Sequence, residues 1–138
     1  MPETSSEPPI VICVVDDDLA LLQLLKILLD SEGLESQTFD NSEHFIDHAR
    51  QHRVGLAILD VHMPRFTGLE VQQLLREISP STRVIIITGQ DEPSLRKKAE
   101  SNGAVGFLLK PFDITRFVDL VRNTLELARL DPSHSTPN

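Results

Sequence analysis

Short apolar runs alternate along the chain with longer stretches in which apolar residues return every three or four positions. The runs at 10–15 (IVICVV), 54–59 (VGLAIL) and 83–88 (RVIIIT) are almost wholly apolar, as expected of strands covered on both faces. Two weaker runs, 35–39 and 105–109, complete a set of five predicted strands. Helical spacing predicts helices over 19–31, 42–52, 68–78, 93–102 and 114–129, and Gly33 and Gly103 stand just past two helix ends. Five βα units imply an α/β fold, a parallel sheet with helices on both faces. The flanks 1–9 and 131–138 are rich in Pro, Ser and Thr, and are expected to be loose tails around one domain over 10–130.

In such sheets ligands collect outside the carboxyl ends of the strands. The residues predicted there are Asp16, Asp17 and Asp18 after the first strand, Asp60 at the third, Thr88 at the fourth and Lys110 at the fifth. One aspartate would be enough to cap the helix that begins at Leu19. Several carboxylates at one sheet end are another matter, since two like charges about 5 Å apart repel by roughly 3 kcal/mol at an effective dielectric of about 20. A divalent cation relieves that repulsion, and an all-oxygen site suits Mg²⁺ (or Mn²⁺). Lys110 brings a compact positive charge, as a salt bridge or as a partner for a phosphoryl oxygen, and Thr88 brings a hydroxyl. Nucleophile, metal, ammonium and hydroxyl together describe a site for phosphoryl transfer.

Composition narrows the field further. The chain has 138 residues, enough for one core, and a net charge of −8, which disfavours direct nucleic-acid binding. Cys13 is the one cysteine, so no internal disulfide forms; it lies in an apolar run and is expected to be buried and inert. No apolar run approaches the roughly 20 residues needed to span a bilayer, and the polar start resembles no signal peptide. A soluble, cytoplasmic protein is expected.

The ordered segments VVDDD, LDVHMPRFTGLE, VIIITG and FLLKPF resemble the successive signatures of bacterial response-regulator receiver domains over about residues 10–129. DVHMPRFTGLEVQ, the pair Thr88–Gly89 and a phenylalanine at the switch position resemble the FixJ-like branch. The resemblance implies a flavodoxin-like (βα)5 fold with strand order 2-1-3-4-5. It implies that Asp60 accepts a phosphoryl group from a histidine kinase or histidine phosphotransfer protein. It further implies that Asp17 contacts Mg²⁺ directly, Asp16 acts through water, and the His62 backbone carbonyl joins Asp60 as a ligand. Thr88 and Lys110 would hold phosphoryl oxygens, and the Lys110–Pro111 bond would be cis. Thr88 and Phe107 would form the switch, Thr88 moving inward and the Phe107 ring following it. The surface of the fourth helix, fifth strand and fifth helix would change with them, with homodimerisation there as one outcome.

Two departures bear on lifetime and signalling. The switch aromatic is Phe107 rather than tyrosine, and His62 with Gln90 occupies positions that influence the attacking water; His62 could equally be an ordinary exposed histidine. In the first helix, Leu21, Leu25 and Leu28 are expected to serve the core, while Leu19 and Leu22 are expected at its edge as docking contacts for the phosphodonor. His44, His48 and His52 recur every fourth residue, as two of them would for a transition metal, but a solvated helix face is the expectation. A receiver assists its own phosphorylation and dephosphorylation and is not a conventional enzyme. Alternatives are a receiver fragment of a FixJ-like transcription factor, a pseudo-receiver interaction module, and a haloacid-dehalogenase-like phosphatase using Asp16 and Asp18. The last leaves the Asp60 segment unexplained.

Overall fold

The computed structural model describes residues 10–130; the tails predicted at 1–9 and 131–138 lie outside the described residues. Five strands, β1 (Ile12–Val15), β2 (Ser36–Phe39), β3 (Leu56–Asp60), β4 (Arg83–Thr88) and β5 (Gly106–Leu109), form one parallel sheet in the order β2-β1-β3-β4-β5. Five helices connect and follow them: α1 (Leu19–Ser31), α2 (Ser42–Gln51), α3 (Gly68–Ile78), α4 (Pro93–Ser101) and α5 (Ile114–Leu130). The fold class and strand order are those expected. Strands begin up to two residues later than the apolar runs suggested, and helix ends differ by at most one.

Strand alternation splits the core into two layers. Cys13, Val15, Ala57, Leu59 and Ile86 pack on one face with Phe45 of α2, Leu75 of α3 and Ala99 of α4. Ile12, Val14, Leu56, Ile58 and Ile87 pack on the other with Leu25 of α1 and Phe117 and Val121 of α5. Caps then set where the helices start. Asp18 accepts a hydrogen bond from the Leu21 amide, and Thr67 and Glu70 form a reciprocal capping box at α3. Gly33 and Gly103 take positive φ angles of 75° and 95° after α1 and α4, a conformation with little cost for glycine.

The face that α1 buries differs from the expected one. Leu22, Leu25 and Leu29 point into the core, whereas Leu21 and Leu28 are half-buried at its margin. The two candidate rows share Leu25 and are all leucine, so apolar spacing does not separate them; the seating of α1 on the sheet does. Leu22 is 4% exposed and is therefore withdrawn as a docking contact, while Leu19 is 59% exposed. Leu19→Ser is expected to change folding stability by no more than about 0.5 kcal/mol in urea melts. A loss above about 1 kcal/mol would show that Leu19 carries core packing after all.

Candidate functional site

The register brings the acidic groups together. Val15 pairs with Leu59 across β1 and β3, so Asp16 and Asp60 come next on neighbouring strands. This is the point at which strand order reverses, with β1 leading outward to β2 and β3 outward to β4. Carboxylate oxygens of Asp16, Asp17 and Asp60 all lie within 4.8 Å of one another. Asp16 and Asp60 are buried and Asp17 is exposed, so the cluster opens to solvent on one side.

Lys110 reaches this cluster from the end of β5. Its Nζ donates to Asp16 Oδ2 at 2.6 Å and lies 3.3 Å from Asp60 Oδ1. The other Asp16 oxygen accepts the Asp18 amide at 2.9 Å. The Lys110 amide donates to the Thr88 carbonyl at 2.7 Å, tying the ends of β4 and β5, and the Lys110–Pro111 bond is cis. Thr88 is fully buried, and its Oγ1 accepts the Gln90 amide at 3.2 Å.

Burial and charge perturb the titration of these groups. Burial, chiefly, and the neighbouring Asp16 charge push the Asp60 carboxyl up to about 6, against a smaller opposing pull from Lys110. Burial works to lower the Lys110 ammonium's pKa, but its hydrogen bond to Asp16 and the Asp60 and Asp16 charges outweigh it, and the net shift is upward. One lysine thus leaves three carboxylates undercompensated. Three converging oxygen donors with that excess of negative charge fit a hard divalent cation such as Mg²⁺.

The remaining sequence candidates are spread more widely. His62 and Gln90 are exposed. The Phe107 ring, expected to turn inward on activation, is already 8% exposed and packed in the core, with the Arg96 guanidinium 4.5 Å from its centroid. A cavity of about 280 Å³ lies beside the ring, lined by Arg96, Pro111, Phe112 and Arg116 among others. His44 is exposed; His48 stacks on His52 at 4.4 Å and leans on Phe39. Burial, then the His52 charge, lowers the His48 pKa. Among the described residues these histidines join no group of three metal-binding side chains. Cys13 is buried, and burial pushes its thiol up to about 12, which leaves it unreactive.

Gly68 escaped notice in the sequence. A Cβ there would meet the Asp60 carbonyl oxygen and lie 2.8 Å from its carbon and 3.0 Å from Val61 Cα. The first residue of α3 is thereby pressed against the backbone of Asp60. The capping signal Thr67-x-x-Glu70 around it could have marked the spot, but not the close approach.

Comparison with known proteins agrees with this geometry. Residues 12–122 match the family model described as the response regulator receiver domain. The chain is 36% identical over 118 residues to the response regulator protein TodT of Pseudomonas putida, covering 86% of this chain and 52% of that protein. It is 32% identical over 117 residues to the transcriptional regulatory protein FixJ of Bradyrhizobium diazoefficiens, covering 85% and 57% respectively. The chain thus spans about half the length of these curated relatives. A CheY-like receiver domain from Methanospirillum hungatei superimposes with a TM-score of 0.84 at 22% identity, covering 88% of this chain and 98% of that one, a likeness of fold.

Proposed function

Because the chain belongs to the response-regulator receiver family, we propose that it accepts a phosphoryl group on Asp60 and passes the change on through its α4–β5–α5 face. The observation that carries this reading is the placement of Asp60: a buried carboxylate at the end of β3, beside Asp16 and Asp17, with Lys110 Nζ 3.3 Å away. In the transfer, an Asp60 carboxylate oxygen forms a bond to phosphorus as the bond from phosphorus to the donor breaks. A histidine kinase or histidine phosphotransfer protein is the donor, and its imidazole leaves neutral once it holds a proton.

The carboxylate must be ionised to attack. With its pKa raised to about 6, Asp60 is roughly nine-tenths ionised at pH 7, and its shortage of compensating charge keeps it reactive. A bound Mg²⁺ (or Mn²⁺) supplies positive charge that offsets the three carboxylates and the transferring phosphoryl oxygens. Asp17 and Asp60 would hold it directly and Asp16, whose two oxygens already accept from Lys110 and the Asp18 amide, through water, with the His62 carbonyl as the fourth candidate. Lys110, already within reach of Asp60, exchanges that contact for a phosphoryl oxygen. The Thr88 hydroxyl donates to another, and this bond at the end of β4 is what the face beyond it senses. Thr88, the Phe107 ring and the Arg96 contact over it are the parts of that face placed to carry the change. Homodimerisation through this face and work in the cytoplasm, where the chain's single thiol stays reduced, belong to the same reading.

Intact-protein mass spectrometry after incubation with acetyl phosphate and Mg²⁺ tests it. The expected result is one phosphoryl adduct, absent when the metal is chelated and absent in Asp60→Asn. An adduct that persists in Asp60→Asn would place the acceptor elsewhere. No adduct, together with no binding of beryllofluoride, would make this a receiver fold without phosphorylation.

A further inference from the structure

The loop that leaves Asp60 and returns to Gly68 is held from outside by α2. Internally it closes with short backbone bonds: the Met63 and Gly68 amides both donate to the Val61 carbonyl, at 3.1 and 2.9 Å, and the Phe66 amide donates to Pro64 at 2.9 Å. Arg65 within it takes a left-handed φ of 71°, which is costly for a residue with a Cβ and persists only where neighbours hold it. Two side chains from the first turn of α2 reach across. Ser42 Oγ donates to the Phe66 carbonyl at 2.8 Å, and Glu43 receives Arg65 Nη1 at 3.2 Å.

These two contacts are unequal. Arg65 and Glu43 are both exposed, and a solvated pair of this kind constrains little. Ser42 is 1% exposed, so its hydroxyl is held out of water and its bond to the Phe66 carbonyl is anchored on a buried donor, although Phe66 itself is 42% exposed. Ser42 also sits on a firm base. The Asn41 side chain caps α2 through the His44 amide at 2.8 Å, and Phe45, Ile46 and Ala49 bury the helix against the sheet.

We propose that Ser42 is a positioning residue for the phosphorylation site: by holding the Phe66 carbonyl it sets the path of the 61–67 loop, and with it His62 and the Gly68 contact on Asp60. It touches neither the carboxylates nor the transferred group. Its consequence for metal binding rests on the phosphoacceptor reading above, whereas its hold on the loop does not.

The test has two readouts on the whole chain. Amide hydrogen exchange of metal-free protein should show the Phe66 and Gly68 amides exchanging about five- to ten-fold faster in Ser42→Ala, the factor for one net hydrogen bond. Ser42→Cys, close in volume but a weak donor, should fall between. Thr82→Val is the control: it removes a hydroxyl bonded to the Val54 carbonyl at 2.7 Å, ahead of β3 and β4 and so at the other end of the sheet, and should leave those two amides unchanged. Mn²⁺ affinity, read by electron paramagnetic resonance, should weaken about three- to ten-fold in Ser42→Ala and stay level in Thr82→Val. Unchanged loop exchange in Ser42→Ala, or the same acceleration in Thr82→Val, overturns the assignment. Faster loop exchange with unchanged Mn²⁺ affinity overturns the link to the site. Faster loop exchange in a protein whose wild type binds no Mn²⁺ upholds the hold on the loop and removes the phosphoacceptor reading instead.

Discussion

Asp60→Asn is expected to stabilise the protein at pH 7.5 while ending its phosphorylation. The wild-type carboxyl titrates at about 6 in the fold against an ordinary value of 3.8, because burial and Asp16 oppose its charge. A shift of about two units corresponds to roughly 3 kcal/mol, an upper figure because the amide also gives up the attraction of Lys110. The sign follows from the direction of the shift. A raised folded pKa favours folding below the unfolded pKa and loses that advantage as pH rises through the folded one. The variant and wild type should therefore have similar stability near pH 4. The gap should open between about pH 4 and 6 and level off above about pH 7, in favour of the asparagine, by about 1–3 kcal/mol. Urea melts across this range provide the measurement, and a gap that ignores pH would show that Asp60 is not strained by its charge. Saturating Mg²⁺ should recover most of the difference in wild type and hardly move the variant, because only wild type keeps the third carboxylate.

Gly68→Ala is expected to damage both stability and the site. Alanine is the better helix former by about 1 kcal/mol, and it also lowers the entropy of the unfolded chain, so local preference favours the substitution. Against this stands a Cβ driven into the Asp60 carbonyl and Val61 Cα, backbone atoms that cannot swing aside as a side-chain end would. Overpacking costs about 1–3 kcal/mol, occasionally more, and contact with three backbone atoms of Asp60 and Val61 places this case at the top of that range. A net loss of about 2 kcal/mol and at least a ten-fold weaker Mn²⁺ affinity are expected, because α3 and the Asp60 carbonyl must part. Gly89→Ala supplies the comparison: its Cβ would meet nothing within 4 Å, and its stability should hold or rise slightly. A Gly68→Ala protein as stable as Gly89→Ala, with its metal affinity intact, would mean that the close approach is dispensable.

Much of the site was readable before any tertiary contact was known, for a definite reason. Asp16, Asp60, Thr88 and Lys110 each follow or end an apolar run, and in a parallel sheet all such residues share one edge. The Leu19 start of α1 was equally plain from the aspartates before it, one of which proves to be the cap. Leu22 was misplaced because a helix rich in leucine offers two equivalent rows, and only the docked sheet chooses between them. The cover that Arg96, from the preceding helix, lays over the Phe107 ring was not legible in the sequence, because it joins two separate elements.

The order of apolar runs and the residues at their ends were enough to define the α/β architecture and the sheet end that carries the chemistry. These are properties of local pattern, written in periods of two and of about 3.6 residues. The energetics of the site belong to the tertiary structure alone. Lys110 meets Asp16 across 94 residues of sequence, Ser42 meets Phe66 across 24, and Gly68 meets the Asp60 backbone through the turn of a loop. A carboxyl's pKa, a glycine's necessity and a serine's hold on a carbonyl depend on distance, burial and charge in space, and no periodicity along the chain encodes those.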